Sequence, residues 1–151
     1  MKIAFIASSG GHLEQLMMLK PLMEKYPCCV ITEKTAYKAS PTGQTTYYVP
    51  QVNRHEPAFL PKMVVIACKE LWVFLKERPD LVISTGALAV IPFCLIAKLF
   101  RRKLVFIESF AKVTSGNLTG RFLYRFADRF YVQWESMLEV YPKAVYRGGI
   151  Y

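Results

Sequence analysis

The sequence has 151 residues, the length of one domain, and 53% of them are hydrophobic, which is enough to build a core without disulfides. Twenty Lys and Arg residues against 11 Asp and Glu give a net charge of +9, which favours anionic partners such as phosphate-bearing ligands or lipid headgroups. The sequence has no zinc-finger spacing and no RNA-recognition signature, so no nucleic acid partner is expected. No apolar run reaches the roughly 20 residues of a membrane-spanning helix and no signal peptide is visible, so we expect a cytoplasmic protein.

Apolar runs alternate with helical patterns along the chain. The strand candidates are Lys2–Ala7, Cys28–Thr32, Thr46–Val49, Leu81–Ser84, Leu104–Glu108 and Arg129–Gln133. The helix candidates are His12–Lys25, Pro61–Glu77, Leu88–Phe100 and Asn117–Phe126. Continuous apolar runs are typical of strands covered on both faces. The alternation therefore predicts a single α/β domain over residues 1–151, with a Rossmann-like parallel sheet and helices on both faces.

Proline and polar residues mark several boundaries. Pro21 lies inside the first helical pattern and is expected to kink or split it. Residues 77–80, with the sequence ERPD, indicate a helix end followed by a turn into a strand. Residues 39–45, with the sequence ASPTGQT, are typical of a turn or loop.

The first predicted strand ends in a glycine turn with the sequence SSGGH, residues 8–12. Ligands of parallel α/β sheets collect at the carboxyl ends of strands. Two glycines let backbone amides approach a ligand closely, and the start of the following helix suits a phosphate. The spacing matches neither the dinucleotide fingerprint nor the Walker A loop. An ordinary tight turn is therefore equally compatible with this pattern.

Two other strand ends carry polar residues. Thr85 and Gly86 precede a predicted helix, which fits either an anion-binding turn or an ordinary helix cap. Glu108 follows a strongly apolar strand, where its carboxylate would contact either a ligand hydroxyl or a backbone amide. His12 is a candidate general base or phosphate ligand, and a capping or surface histidine is the alternative.

Two basic and apolar segments are candidate membrane contacts. Arg101, Arg102 and Lys103 follow the apolar segment 88–100, and residues 121–131 place Arg121 and Arg125 among aromatic residues. Each such charge contributes about 1 kcal/mol to binding an anionic membrane surface. A core helix with a solvated basic stripe is the alternative interpretation.

Several stretches resemble the membrane-docking subunit of a split glycosyltransferase family. They are SSGGHLEQL, VISTGALAVIPFCLIAK, VFIESFAKVTSGNLTGRFLYRFADRFYVQW and YPKAVYRGGIY. In eukaryotes this family helps to form the second GlcNAc linkage of the dolichol-linked oligosaccharide, and bacterial relatives serve capsule and exopolysaccharide assembly. The similarity covers essentially the whole chain, and its most specific part lies within residues 107–134.

The resemblance implies the N-terminal half of a GT-B glycosyltransferase. A separate polypeptide would dock in trans, hold most of the UDP-sugar site, and donate either GlcNAc or galactose to a polyprenyl-diphosphate-linked sugar. His12 and Glu108 would lie near the acceptor hydroxyl. The implied contacts to the acceptor diphosphate are Ser8, Ser9, Gly10, Gly11, Thr85, Gly86 and Ser109. Such enzymes generally invert the anomeric centre without a metal, and no cofactor is expected.

Eukaryotic members of the family carry an N-terminal transmembrane anchor, and this sequence starts directly at its first predicted strand. We therefore expect a peripheral protein on the cytoplasmic face of the membrane, inactive or nearly so without its partner. A stand-alone nucleotide-binding protein and a purely structural membrane adaptor are the alternatives. The absence of an acidic residue in a clear ribose-binding place disfavours the first of these.

Overall fold

Seven parallel strands form one sheet in the computed structural model, which describes residues 1–35 and 43–151. The strands are β1 (Ile3–Ala7), β2 (Cys28–Glu33), β3 (Thr45–Val49), β4 (Leu81–Gly86), β5 (Lys103–Ile107), β6 (Arg129–Val132) and β7 (Val145–Tyr146). The first six lie within two residues of their predicted bounds. The sequence does not predict β7, because a strand of two residues carries no recognisable period.

The strand order is β3-β2-β1-β4-β5-β6-β7, with every pairing parallel. The chain therefore fills one half of the sheet first and then crosses from β3 to β4 on the other side of β1. In such sheets ligands bind outside the carboxyl ends of the strands at this switch point. The order brings the turn after β1 beside the turn after β4, and Ala7 pairs with Gly86 after a register shift.

Proline residues divide two of the predicted helices. The helices are α1 (Gly11–Met17), α2 (Lys20–Lys25), α3 (Phe59–Glu77), α4 (Ile91–Leu99) and α5 (Leu118–Leu123), with 3-10 turns at Leu88–Val90 and Glu135–Leu138. Pro21 lies in the first turn of α2 and Pro92 in the first turn of α4, where a helix needs no N–H donor. Pro21 thus splits the first predicted helix, as expected.

Helices cover both faces of the sheet, as the apolar runs predict. On one face α1 and α2 bury Leu13, Leu16 and Met23 against the sheet. On the other face α3, α4 and α5 form the larger layer of the core. Because both faces are covered, β1 is buried along its whole length. The single α/β domain expected from the sequence is built around this central strand.

The boundary after α3 lies where the sequence predicts it. Arg78 ends the helix in the left-handed region at φ 46°, and the following Pro79 prevents the helix from continuing. Of the predicted loop at residues 39–45, residues 39–42 lie outside the described part of the chain, and β3 begins at Thr45.

Among the described residues, one buried carboxyl group of the core has no side-chain partner. Glu70 of α3 is fully buried, and neither of its oxygens has a hydrogen-bond partner among the described residues. Burial raises the pKa of Glu70 well above its ordinary value, because the charged form loses its hydration. The folded protein therefore holds this proton at pH values where the unfolded chain releases it.

Replacing Glu70 with Gln tests this linkage. Since the pKa is raised in the folded state, wild-type stability is full below the ordinary pKa of 4.5 and falls as pH rises towards the folded value. The slope for one proton is about 1.4 kcal/mol per pH unit. We expect Glu70→Gln to match the wild type near pH 4 and to exceed it in stability at pH 7. Urea denaturation across this range measures the difference, and a constant difference between the two proteins would contradict the prediction.

Candidate functional site

The turn after β1 combines a buried serine with two glycines of different character. The Ser8 amide donates to the Gly86 carbonyl at 3.2 Å, which joins this turn to the end of β4. Gly10 has φ +76°, in the left-handed region that favours glycine. Gly11 has no such requirement, and a Cβ built on it meets nothing within 4 Å. The turn therefore faces open space, and only one of its glycines is demanded by the backbone.

Glu33 at the end of β2 braces this turn. Its Oε2 accepts from both the amide and the hydroxyl of Ser9, at 3.3 and 3.2 Å. Its Oε1 accepts from the amide of Val52 at 3.2 Å, beyond β3. The sequence analysis missed Glu33, which directly follows the predicted end of the strand at Thr32. A carboxylate immediately after an apolar strand is the signal that could have identified it, as it did for Glu108.

His12 and Thr85 exchange two hydrogen bonds. His12 Nδ1 lies 2.7 Å from the Thr85 carbonyl oxygen, and Thr85 Oγ1 donates to the His12 carbonyl oxygen at 2.7 Å. A carbonyl oxygen can only accept, so Nδ1 carries the proton and Nε2 of the neutral ring is left as an acceptor. The bond to Thr85 thus fixes both the orientation and the tautomer of the imidazole, as a general base requires.

The backbone at Gly86, beside the His12 ring, requires glycine. Its φ is +106°, and a Cβ at this position would lie 3.3 Å from Phe106 Cζ and 3.5 Å from His12 Cε1. The next residue, Ala87, also has a positive φ of 82°, which costs of order 1–3 kcal/mol for a residue with a side chain. The turn after β4 is therefore strained at the point where it borders the cleft described below.

The Glu108 carboxylate is buried and accepts three hydrogen bonds. Its Oε1 accepts from the Ser109 amide at 2.9 Å and from the side-chain amide of Asn117. Its Oε2 accepts from the Tyr141 hydroxyl at 2.8 Å. Burial, with the Glu108 carboxylate beside it, raises the pKa of the Tyr141 phenol, which keeps this donor protonated. The carboxylate holds β5, the start of α5 and the segment after β6 together.

Two glycines fit closely around this buried group. A Cβ on Gly116 would lie 2.0 Å from the Tyr141 hydroxyl oxygen, and one on Gly120 would lie 2.3 Å from Glu108 Oε2. Neither contact is sterically possible, so both positions require glycine for space. The loop between β5 and α5 is thereby fixed against the Glu108–Tyr141 pair. This loop carries Ser109, whose Oγ accepts from the Ala111 amide at 3.3 Å.

An open cleft of about 840 Å³ lies over the carboxyl ends of the strands. Its lining residues are Ser8, His12, Glu33, Gln51, Val52, Asn53, Arg54, Glu56, Lys62, Ala87, Leu88, Lys112, Gly116, Asn117, Leu118 and Thr119. Of the site residues expected from the sequence, Ser8 and His12 line this cleft. Ser9, Thr85 and Gly86 hold those two in place, and Gly10 and Gly11 are exposed on the same turn. Glu108 lies buried behind the cleft, and it contacts the lining residue Asn117.

The expected membrane-contact residues lie on or next to the face of the sheet covered by α3, α4 and α5. Arg101 follows α4 and is exposed, and Arg121 and Arg125 are exposed in and after α5. Arg102 contacts Asp80 at 3.4 Å and Lys103 contacts Asp128 at 3.5 Å. Arg102 and Lys103 therefore take part in ion pairs. The other three arginines have no ion pair within the described ranges.

The same face exposes apolar side chains, most of them outside the apolar segment 88–100 that the sequence analysis named. Several belong to α3, and others lie at the end of α4 and along α5. The most exposed are Leu60, Val64, Val65, Trp72, Leu75, Leu99 and Leu118. We call these seven residues the apolar face. No helix in residues 1–35 or 43–151 has both the length and the apolar character needed to cross a bilayer.

Residues 49–150 match a protein family described as "Oligosaccharide biosynthesis protein Alg14 like". The chain belongs to the Alg14 family. Human UDP-N-acetylglucosamine transferase subunit ALG14 is 26% identical over 99% of this chain and 83% of its own length. The protein of the same name from Yarrowia lipolytica is 27% identical over 97% of this chain and 80% of its own length. These matches confirm the family that the sequence motifs resemble.

Solved structures with larger chains share the fold of this Alg14-family protein. Acinetobacter baumannii MurG superposes with a TM-score of 0.75 over 90% of this chain and 43% of its own, at 16% identity. Methanocaldococcus jannaschii UDP-GlcNAc 2-epimerase superposes with a TM-score of 0.75 over 99% of this chain and 47% of its own, at 14% identity. The chain thus spans less than half of these proteins. The expected fold class is confirmed: a Rossmann-like α/β domain equivalent to half of a GT-B protein.

A pair of alanine substitutions tests the construction of the two turns. Gly86→Ala places a Cβ at a positive φ and 3.3 Å from Phe106 Cζ, so we expect a loss of about 1–3 kcal/mol in stability. Gly11→Ala has an ordinary backbone and open space, so we expect no loss and a gain of at most about 1 kcal/mol. Chemical denaturation of both variants measures the difference in stability. Equal effects of the two substitutions would contradict the backbone requirement described for Gly86.

Proposed function

We propose that this Alg14-family chain is the acceptor- and membrane-binding subunit of a two-chain, inverting glycosyltransferase. The enzyme transfers GlcNAc from UDP-GlcNAc to a polyprenyl-diphosphate-linked sugar. The names of the curated relatives, UDP-N-acetylglucosamine transferase subunits, support both the donor and a role as one subunit of several. None of these names supports the alternative donor UDP-galactose.

A cleft with only one wall supports the two-chain arrangement. The chain corresponds to less than half of the solved chains that share its fold, and its cleft is open above the strand ends. A donor-binding polypeptide docking in trans would supply the opposite wall and most of the UDP-sugar site. Holding both substrates between two walls removes an entropic cost of several kcal/mol. On this basis the isolated chain is inactive or nearly so.

His12 is the proposed general base. The acceptor hydroxyl transfers its proton to Nε2 while its oxygen attacks the anomeric carbon, and the bond to the UDP oxygen breaks on the opposite side. The Thr85 carbonyl oxygen accepts from Nδ1 throughout and stabilises the positive charge that forms on the ring. The partner chain carries the charge of the departing UDP.

Glu108 is proposed as a positioning residue. It already accepts two hydrogen bonds at Oε1 and one at Oε2 from the protein, and it is buried behind the residues that line the cleft, so the acceptor hydroxyl has poor access to it. Through Asn117 and the loop from Ser109 it shapes one wall of the cleft. The alternative, in which Glu108 itself takes the proton of the acceptor hydroxyl, makes a different prediction for its amide variant.

The acceptor diphosphate is proposed to lie over the glycine turn. The amides of Gly10, Gly11 and His12 have no acceptor within the described parts of the chain, and the space above them is open. Because α1 has only seven residues, direct amide donors contribute more here than the helix dipole. Thr85, Gly86 and Ser109 act from behind, by holding the two neighbouring turns.

The face formed by α3, α4 and α5 is proposed to contact the cytoplasmic surface of an anionic membrane. It combines the apolar face with the exposed cations Arg101, Arg121 and Arg125. Large exposed apolar patches rimmed by polar residues mark interaction surfaces, and cations beside them suit anionic lipid. This arrangement gives a peripheral mode of attachment.

Substitutions at His12 and Glu108 separate the two roles in the reconstituted pair. His12→Gln keeps a donor for the Thr85 carbonyl but removes the base, so we expect kcat to fall about 100-fold or more, as for His12→Ala. Glu108→Gln can still accept from Ser109 and donate to the Tyr141 oxygen, so we expect kcat within about tenfold of the wild type. Thermal melting of each variant controls for folding.

Other results would revise these roles. Full activity of His12→Gln would remove the assignment of the base. A loss in Glu108→Gln as large as that in His12→Gln, with an unchanged melting temperature, would make Glu108 the catalytic group.

Liposome flotation tests the membrane face. Arg121→Gln/Arg125→Gln removes two charges from this face and should weaken binding to vesicles with 30% anionic lipid by about 2 kcal/mol, or roughly 30-fold. Lys20→Gln/Lys25→Gln removes two charges from α2, on the opposite face of the sheet, and is the matched control. Equal loss in the two double variants would show that only net charge matters.

Reconstitution tests the function as a whole. The chain is crosslinked to its partner in cells, the partner is identified and purified, and the two are combined with UDP-GlcNAc and a polyprenyl-diphosphate-linked sugar. We expect transfer only when both chains are present. Transfer by this chain alone would favour a stand-alone enzyme, and unchanged activity of the partner in detergent without this chain would favour a structural adaptor.

A further inference from the structure

Two cations line the cleft without an acidic partner. Of the lining residues, Arg54, Lys62 and Lys112 are positively charged and Glu33 and Glu56 negatively charged. Lys62 pairs with Glu56 at 2.5 Å, and Glu33 is occupied by Ser9 and Val52. No ion pair of Arg54 or Lys112 exists within residues 1–35 and 43–151. Their charges are therefore available to a ligand.

Lys112 extends from a loop whose backbone is fixed. Its amide donates to the Ser109 carbonyl oxygen at 2.9 Å, and the adjoining residue Val113 accepts from the Ser136 hydroxyl at 2.5 Å. The buried Glu108 holds the same loop through Ser109 and Asn117. The Lys112 side chain makes no hydrogen bond to any described residue. A free ammonium on a rigid support is suited to binding an anion with little loss of backbone entropy.

Arg54 lies in the segment between β3 and α3, which is also ordered by its own hydrogen bonds. The Asn53 amide donates to Glu56 Oε1 at 3.0 Å, the His55 amide donates to Asn53 Oδ1 at 3.0 Å, and the Glu56 amide donates to the Asn53 carbonyl oxygen at 3.1 Å. Arg54 Nε contacts His55 Nε2 at 3.1 Å, which leaves the two terminal guanidinium nitrogens unpaired within the described residues.

We propose that Lys112, in the loop after β5, and Arg54, in the segment after β3, both of which line the cleft, bind the diphosphate of the acceptor as a pair of cationic arms. The proposal rests on the proposed function, and it adds two residues beyond the glycine turn. A diphosphate that links a polyprenol to a sugar carries one negative charge on each phosphorus. Two unpaired cations match these two charges, while amides of the glycine turn supply neutral donors. Arg also offers a planar fork that fits two phosphate oxygens at once.

Binding of inorganic pyrophosphate to the purified chain tests the arms without the partner. The variants are Lys112→Gln and Arg54→Gln, and Lys143→Gln is the matched control because it is exposed and lies outside the cleft. Calorimetry at 150 mM salt should show at least a tenfold loss of affinity in each cleft variant, since a hydrogen bond to a charged group contributes 1.5–3 kcal/mol. The control should match the wild type. No detectable binding by the wild type, or equal affinity in all four proteins, would overturn the proposal.

Kinetics of the reconstituted pair distinguish an acceptor diphosphate from the diphosphate of the donor. We expect the KM for the polyprenyl-diphosphate acceptor to rise at least tenfold in each cleft variant, with the KM for UDP-GlcNAc changed less than twofold. A rise confined to UDP-GlcNAc would overturn the assignment to the acceptor. If pyrophosphate binding depends on Lys112 and Arg54 but the two reconstituted chains show no transferase activity, the anion site stands and the proposed function is rejected. If the two chains are active but the cleft variants leave the acceptor KM unchanged, the proposed function stands and the anion site is rejected.

Discussion

Two hydrogen bonds between His12 and Thr85 connect the halves of the sheet at the point where the cleft opens. They form because β1 and β4 are neighbours in the sheet although His12 and Thr85 are 73 positions apart in the sequence. The Thr85 carbonyl selects the imidazole tautomer, and the Thr85 hydroxyl fixes the backbone that carries the ring. Gly86 then allows the positive φ of the turn that borders the ring. The chemistry proposed for the cleft depends on this one contact.

Three buried carboxyl groups show how the chain separates support from function. Glu33 and Glu108 each accept several hydrogen bonds and hold the loops that line the cleft. Several hydrogen bonds to one carboxylate hold its side chain in a single orientation, and they also hold the loops that supply the donors. Glu70 has no side-chain partner within residues 1–35 and 43–151 and is fully buried, so it costs stability at neutral pH. The two braced carboxylates lie beside the cleft, and the unbraced one lies in the core behind it.

The six longer strands are predictable from the sequence because each is a continuous apolar run closed by polar or turn-forming residues. The division of two helices follows equally from Pro21 and Pro92, although only the first was anticipated. The surroundings of Glu108 could not be predicted, because Tyr141 lies 33 residues further along the chain. A period or a spacing reports on one element at a time, whereas this contact depends on how three elements pack.

The position of Glu33 illustrates the same limit for the site. A strand that ends in an acidic residue is visible in the sequence, but its partners Ser9 and Val52 belong to two other strand ends. The cations Arg54 and Lys112 were equally hidden, although Lys112 lies within the stretch that carries the family resemblance, because nothing in the sequence shows that their two loops line one cleft. Only the strand order brings their loops to one cleft. The residue pattern identified the glycine turn and His12 as candidates, the family resemblance implied roles for them, and the fold supplied the residues around them.

The central claim is that this chain is the acceptor half of a divided active site. Isothermal titration of the purified chain with farnesyl diphosphate and with UDP-GlcNAc tests it most directly. The account predicts that farnesyl diphosphate binds the chain alone, and that UDP-GlcNAc binds only after the partner polypeptide is added. Tight binding of UDP-GlcNAc by the isolated chain, without binding of farnesyl diphosphate, would contradict the account.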